Sequence, residues 1–96
     1  VYSRDKQVSN FYSQLDASIG AGHEATDLKN WALGLHHYEQ ACGIAQQAIK
    51  SCEKKGKRTH IISFQNFLAT LEIDKALCLR KLGRVDECLE SYEKAY

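Results

Sequence analysis

The sequence has no proline, no methionine, six glycines and a single tryptophan in 96 residues. An all-β domain spends Gly and Pro on its turns, so their scarcity argues against one. Charge of one sign is missing too. Thirteen Lys and Arg stand against twelve Asp and Glu, too even a balance for a chain that seeks nucleic acid along its whole length. No apolar run approaches the roughly 18 residues of a membrane helix, and no signal-peptide pattern opens the chain. What remains, 44% hydrophobic and 26% charged residues, is the composition of an ordinary globular chain and not of a disordered one. The length allows one domain. The missing Met and a helical pattern still running at Tyr96 read as a segment of a longer protein.

Cys42, Cys52, Cys78 and Cys88 form no CxxC and no Cys-Cys-His-His zinc spacing. On one helix, ten residues hold Cys42 and Cys52 about 15 Å apart, too far for a disulfide. Four reduced, small core residues in a cytoplasmic or nuclear protein are the favoured reading. Their even number leaves cross-helix disulfides open.

Helical periodicity dominates the chain and predicts an all-α fold. Val8, Tyr12, Leu15, Ile19 and Gly22 fall at steps of four and three, one stripe of a helix over about 5–25. Gly20 and Gly22 weaken its second half, and Asp27 or Asn30 can cap the next helix. Trp31, Leu35, Tyr38, Cys42, Ala45, Ile49 and Cys52 then alternate strictly by four and three. They mark a helix over 30–55, near 37 Å long. Gly56 suits a left-handed cap, and Lys54, Lys55, Lys57 and Arg58 suit the negative end of the helix dipole. A third helix over 60–82 has a broad apolar face, running from Ile61 and Phe64 through Leu71 to Leu82, and so packs on two neighbours. Gly83 stops it, and a fourth covers 85–96. Short connections between four helices mean antiparallel hairpins.

The sequence also echoes itself. Displaced by 54 residues, Trp31–Ala41 lies on Val85–Ala95, with Leu35 on Leu89, Tyr38 on Tyr92, Glu39 on Glu93 and Ala41 on Ala95. Gly34, Tyr38 and Ala41, then Cys88, Tyr92 and Ala95, supply a small residue, an aromatic four later and Ala three after that. Gly22 and Ala76 stand twelve positions before the two small residues. In this pattern the chain resembles the tetratricopeptide repeat (TPR) family, and the turn from Lys81 to Glu87 is similar to that family's inter-helix turn. Close packing explains the pattern, because helices approach only where one offers a small residue to the other's ring. The 54-residue offset exceeds the family's 34-residue period, which implies second and third helices about ten residues longer. Glu72 and Lys75 stand where the family prefers Trp and Leu, and its closing Pro is absent. The three-helix module for microtubule interaction and trafficking is similar in outline and suggests an adaptor role instead.

No phosphate-binding Gly loop, nucleophile elbow or HExxH occurs. Neighbouring helix residues point about 100° apart, so His36 and His37 cannot clasp one metal. His36 with Gln40, or His23 with Asp27, can pair on a surface. Carboxylates are scattered, so the sequence offers no catalytic residue, no metal site and no cofactor, and predicts a protein that is not an enzyme. Lys50, Lys54, Lys55, Lys57 and Arg58, with His60 beside them, gather at one hairpin tip. That patch could hold RNA or an acidic partner, although no aromatic is interleaved for base stacking.

The TPR resemblance implies two stacked hairpins that scaffold another protein or peptide, held in a groove lined by the first helix of each unit. It makes His23, Glu24 and Asp27 in the first unit, and Glu72, Lys75 and Arg80 in the second, the partner-binding candidates. The family's clamp for the carboxylate tails of heat-shock chaperones needs Lys and Asn at places that here hold Ile19, His23 and Asp74, so that clamp is absent. Self-association through an open helix face is a further expectation, nucleic-acid binding at the basic tip a lesser one, and membrane binding none. Trp31, Tyr38, Phe64, Leu79 and Tyr92 are assigned to packing.

Overall fold

The computed structural model describes residues 6–95. The expected helical starts and stops at Asp5 and Tyr96 lie outside them. Four α-helices follow one another: α1 (Lys6–Asp27), α2 (Trp31–Lys55), α3 (Arg58–Lys81) and α4 (Val85–Ala95). No strand occurs among the described residues. Each helix packs chiefly on the next in sequence, as connections of two or three residues require.

Local chemistry sets the ends. The Asn30 side chain caps α2 by accepting from the Leu33 N–H at 3.3 Å, whereas Asp27 closes α1. Gly56, at φ 67°, turns the chain into the left-handed region after α2, and the Lys57 N–H closes the cap on the Cys52 carbonyl at 3.0 Å. Two residues complete that reversal, so α3 begins at Arg58, earlier than the sequence suggests. Arg58 therefore lies on the first turn of α3, the positive end of a helix dipole, and not at the negative end with Lys54 and Lys55. Gly83, at φ 78°, ends α3 in the same way, with the Arg84 N–H on the Leu79 carbonyl at 2.8 Å.

The turn after α1 has the same hydrogen bonds but no glycine. Lys29 sits at φ 60°, and the Asn30 N–H reaches the Ala25 carbonyl at 2.8 Å. A side chain there clashes with its own backbone at a cost of about 1 kcal/mol. Lys29→Gly is therefore expected to stabilise the domain by about 0.5–1 kcal/mol. Thermal unfolding followed by circular dichroism checks this, and a lowered midpoint would contradict it.

The core runs along α2, which is buried at Gly34, Leu35, Tyr38, Ala41, Cys42, Ala45, Ala48 and Cys52. Beside the expected stripe stands a second row, Gly34, Ala41 and Ala48, one residue every seven. The row is small because α2 lies between α1 and α3. A Cβ on Gly34 would meet Thr26 of α1 at 2.7 Å and Cys78 of α3 at 3.4 Å. Gly22 of α1 is buried against the Tyr38 ring, as the small-plus-aromatic pattern anticipated. At the other end of α1, Tyr12 stacks on Phe64 with centroids 4.5 Å apart, and Phe11 meets the same ring edge-on at 6.3 Å. The Tyr12 hydroxyl lies 2.9 Å from His60 Nδ1. Tyr38, Phe64 and Leu79 are buried, and Trp31 and Tyr92 are half-buried against the core. All four cysteines are buried free thiols.

Candidate partner-binding groove

With α2 behind them, α1 and α3 leave an open groove of about 390 Å³ between them. Ile19 and His23 line it from α1, and Ser63, Asn66, Phe67, Thr70, Leu71 and Asp74 from α3. The α3 residues recur at steps of three and four, which puts them on one side of that helix. Ile19, Phe67 and Leu71 form an apolar floor, and a polar rim surrounds them. No Lys or Arg lines it, and Asp74 is its one carboxylate.

His23 is fixed from below. Its ring meets Tyr38 edge-on with centroids 5.7 Å apart, and its Nδ1 lies 2.9 Å from the Tyr38 hydroxyl. Burial, above all, raises the Tyr38 phenol further above its ordinary range. The phenol therefore keeps its proton, which it can donate to an unprotonated Nδ1, leaving the imidazole proton on Nε2. Burial also pushes the Asp74 carboxyl above the usual carboxylate range, and the electrostatic pull of His23 opposes it. A folded-state pKa above the unfolded value means that ionising Asp74 costs stability. The cost is absent below the unfolded pKa and is reached in full once the pH exceeds the folded one. The fold thus holds the Asp74 carboxyl more easily protonated than ionised.

Of the residues singled out by sequence, His23 lines this groove. Glu24 and Asp27 are exposed on α1 outside it, and Arg80 is exposed beyond its α3 end. Glu72 and Lys75 face the other way. Glu72 is only 7% exposed, and its Oε1 accepts from the Cys42 thiol at 3.8 Å and from Lys75 Nζ at 3.4 Å. Its Oε2 has no partner. Burial first, with Glu72 adding to it, pushes the Cys42 thiol up to about 12. Lys75 lines a narrow cleft with Leu35, Leu79 and Glu87 on the α2 and α4 side. The reason is that α3 is flanked on both sides. Positions 72, 75, 76 and 79 serve α2 and α4, while 63, 67, 70 and 74 serve α1. The alternation of Phe67, Thr70, Leu71 and Asp74 is the signal that could have found the groove. The positions compared with the chaperone-tail clamp, Ile19, His23 and Asp74, all lie in it.

The basic tip is a separate surface. Lys50, Lys54 and Arg58 are exposed, Lys57 is half-buried, and Lys55 Nζ donates to Gln7 Oε1 at 2.6 Å. Ser51 donates to the same oxygen at 3.1 Å. Phe11 reaches from α1 into the shallow hollow between Gln47, Lys50 and Lys54, an aromatic that the local sequence does not reveal. Elsewhere His37, not His36, approaches Gln40, and His23 pairs with Tyr38 rather than Asp27. Among the described residues no three His, Cys, Asp or Glu side chains gather as metal ligands, and no helix is long and apolar enough to cross a membrane.

No known family model, curated protein or solved structure matches the chain.

Proposed function

We propose that this chain is a non-enzymatic protein–protein interaction module, built of TPR-like hairpins, that holds a segment of a partner protein in the groove between α1 and α3. The observation that carries the reading is the groove itself, an apolar floor with one half-buried carboxylate beside it. A carboxylate held partly out of water in a cleft is a mark of a site. Ile19, Phe67 and Leu71 suit one apolar side chain of the partner. Asp74, with no Lys or Arg in the lining, suits an adjacent Lys or Arg of the partner. The close contact of Gly22 with Tyr38 supports the TPR-like reading, and an α1–α3 groove corresponds to that family's inner surface. Buried free thiols suit a reducing compartment, the cytoplasm or nucleus.

The test is a displayed random-peptide library panned on the intact chain. Enriched peptides are expected to pair an apolar residue with a neighbouring Lys or Arg. Asp74→Asn and Thr70→Arg should each weaken the best of them at least tenfold. Asp74→Asn should at the same time raise the unfolding midpoint at neutral pH and leave it unchanged in acid, below the unfolded pKa. Peptides that bind both variants as well as the parent would end this reading. An RNA oligonucleotide bound with steep salt dependence and indifferent to Thr70→Arg would move the function to the basic tip and Phe11.

A further inference from the structure

The 54-residue echo makes α2 a template for α4, and the two are not equally covered. Gly34 and its counterpart Cys88 are both buried. Leu35 is 4% exposed, yet Leu89 is 56% exposed. Tyr38 is buried where Tyr92 is half-buried, and Trp31 is half-buried where Val85 is 58% exposed. The side of α4 that meets the preceding helix is complete. The other side, which on α2 is covered from α3, stands open. Leu35 shares its cleft with Leu79 of α3, whereas no helix of the described chain lies over Leu89. Val85 and Leu89, one turn apart on α4, make a short apolar stripe, and Leu82 is exposed in the turn before it. The exposed acids Asp86 and Glu93 lie beside it on α4, while Glu90 turns into the cleft with Leu35 and Lys75.

We infer that this stripe docks a basic amphipathic helix of another protein, laid across α4 as α3 is laid across α2. The internal template fixes the shape of the occupant, a helix, and the acidic border fixes its charge. A second copy fits poorly. Two α4 faces pressed together would oppose their acidic borders, and the solvent side of α1 (Asn10, Ser13, Ala17, Gly20, Glu24) has no apolar stripe to offer. This surface owes nothing to the groove between α1 and α3.

The probe is a labelled synthetic peptide of residues 58–81, the helix that covers α2, with four Lys or Arg against two carboxylates. Titrated with the intact chain and read by fluorescence anisotropy, it is expected to saturate and to weaken as salt is raised. Leu89→Glu should weaken it at least tenfold. Leu28→Glu, at a leucine 78% exposed elsewhere, and Thr70→Arg should leave it unchanged. An unchanged thermal midpoint confirms that Leu89→Glu is folded. Absence of binding, or equal binding to the Leu89→Glu chain, overturns the proposal. So does a concentration-dependent dimer in sedimentation that Leu89→Glu dissolves, because the stripe then belongs to a second copy.

Discussion

Phe64→Ala is expected to cost about 3–5 kcal/mol, the usual range when a fully buried aromatic is truncated. Phe64 has no exposed surface, and its ring is held between Tyr12, stacked at 4.5 Å, and Phe11, edge-on at 6.3 Å. Those contacts join α1 to α3 directly, without α2. The cavity left by Ala would be bounded by two long helices already fixed by their own packing on α2, so it cannot collapse well. A domain of this size holds about 5–15 kcal/mol in all, and each kcal/mol moves its midpoint by roughly 4–8 °C. The variant should therefore melt at least about 12 °C lower, and the groove floor at Phe67, one turn along the same face of α3, should loosen with it. Phe64→Leu keeps most of the volume and should cost under about 2 kcal/mol. Urea unfolding of the two variants checks the contrast. A loss below 1 kcal/mol for Phe64→Ala would show that α1 is held by α2 alone.

The helices were legible because their signals are local. Period 3.6 along Trp31–Cys52 and glycines at 56 and 83 need no knowledge of the partner helix, and the observed ends differ from expectation by at most a few residues. The crossing of Gly22 with Tyr38 was legible for another reason, since it leaves a complementary pair of volumes in the sequence. The groove was only partly legible. Apolar residues from Ile61 to Leu82 surround much of α3, so the sequence does not say which side meets α1 and which meets α2 and α4. The TPR resemblance put Glu72 and Lys75 among the groove residues because it assigns the first helix of each unit to the groove without fixing which side of that helix faces it. Glu72 is instead buried beside Cys42, with Lys75 on its Oε1, and Asp74 takes the groove position. Phe11 in the basic hollow could not be foreseen either, because residues 47–54 and residue 11 become neighbours only when α1 folds back on α2. Rotation about a helix axis is a tertiary property, fixed by the sum of neighbours and not by any one residue.

Two identical substitutions two residues apart should have opposite effects. Gly20→Ala is expected to stabilise α1 by about 0.5–1 kcal/mol, the ordinary gain for Ala over Gly inside a helix. A Cβ at Gly20 meets nothing within 4 Å. Gly22→Ala has the same local gain, but its Cβ would fall 2.5 Å from one ring carbon of Tyr38 and 2.8 Å from another. The ring cannot easily yield. Tyr38 is 2% exposed, and its hydroxyl is tied to His23 at 2.9 Å. Overpacking of this kind costs about 1–3 kcal/mol, and more when the neighbour is fixed. The net expectation is a loss of about 1–2 kcal/mol, with a shift of the His23 ring that also weakens peptide binding in the groove. Tyr38→Leu removes the obstructing ring, so adding Gly22→Ala to that background should be neutral or favourable. The resulting coupling between positions 22 and 38 should be about 1–3 kcal/mol in a double-mutant cycle. If Gly20→Ala and Gly22→Ala stabilise alike, α1 and α2 are not in close contact at this point. The echo 54 residues on, at Tyr92, then loses its physical meaning, and with it the reading of α4 as a second, half-covered copy of α2.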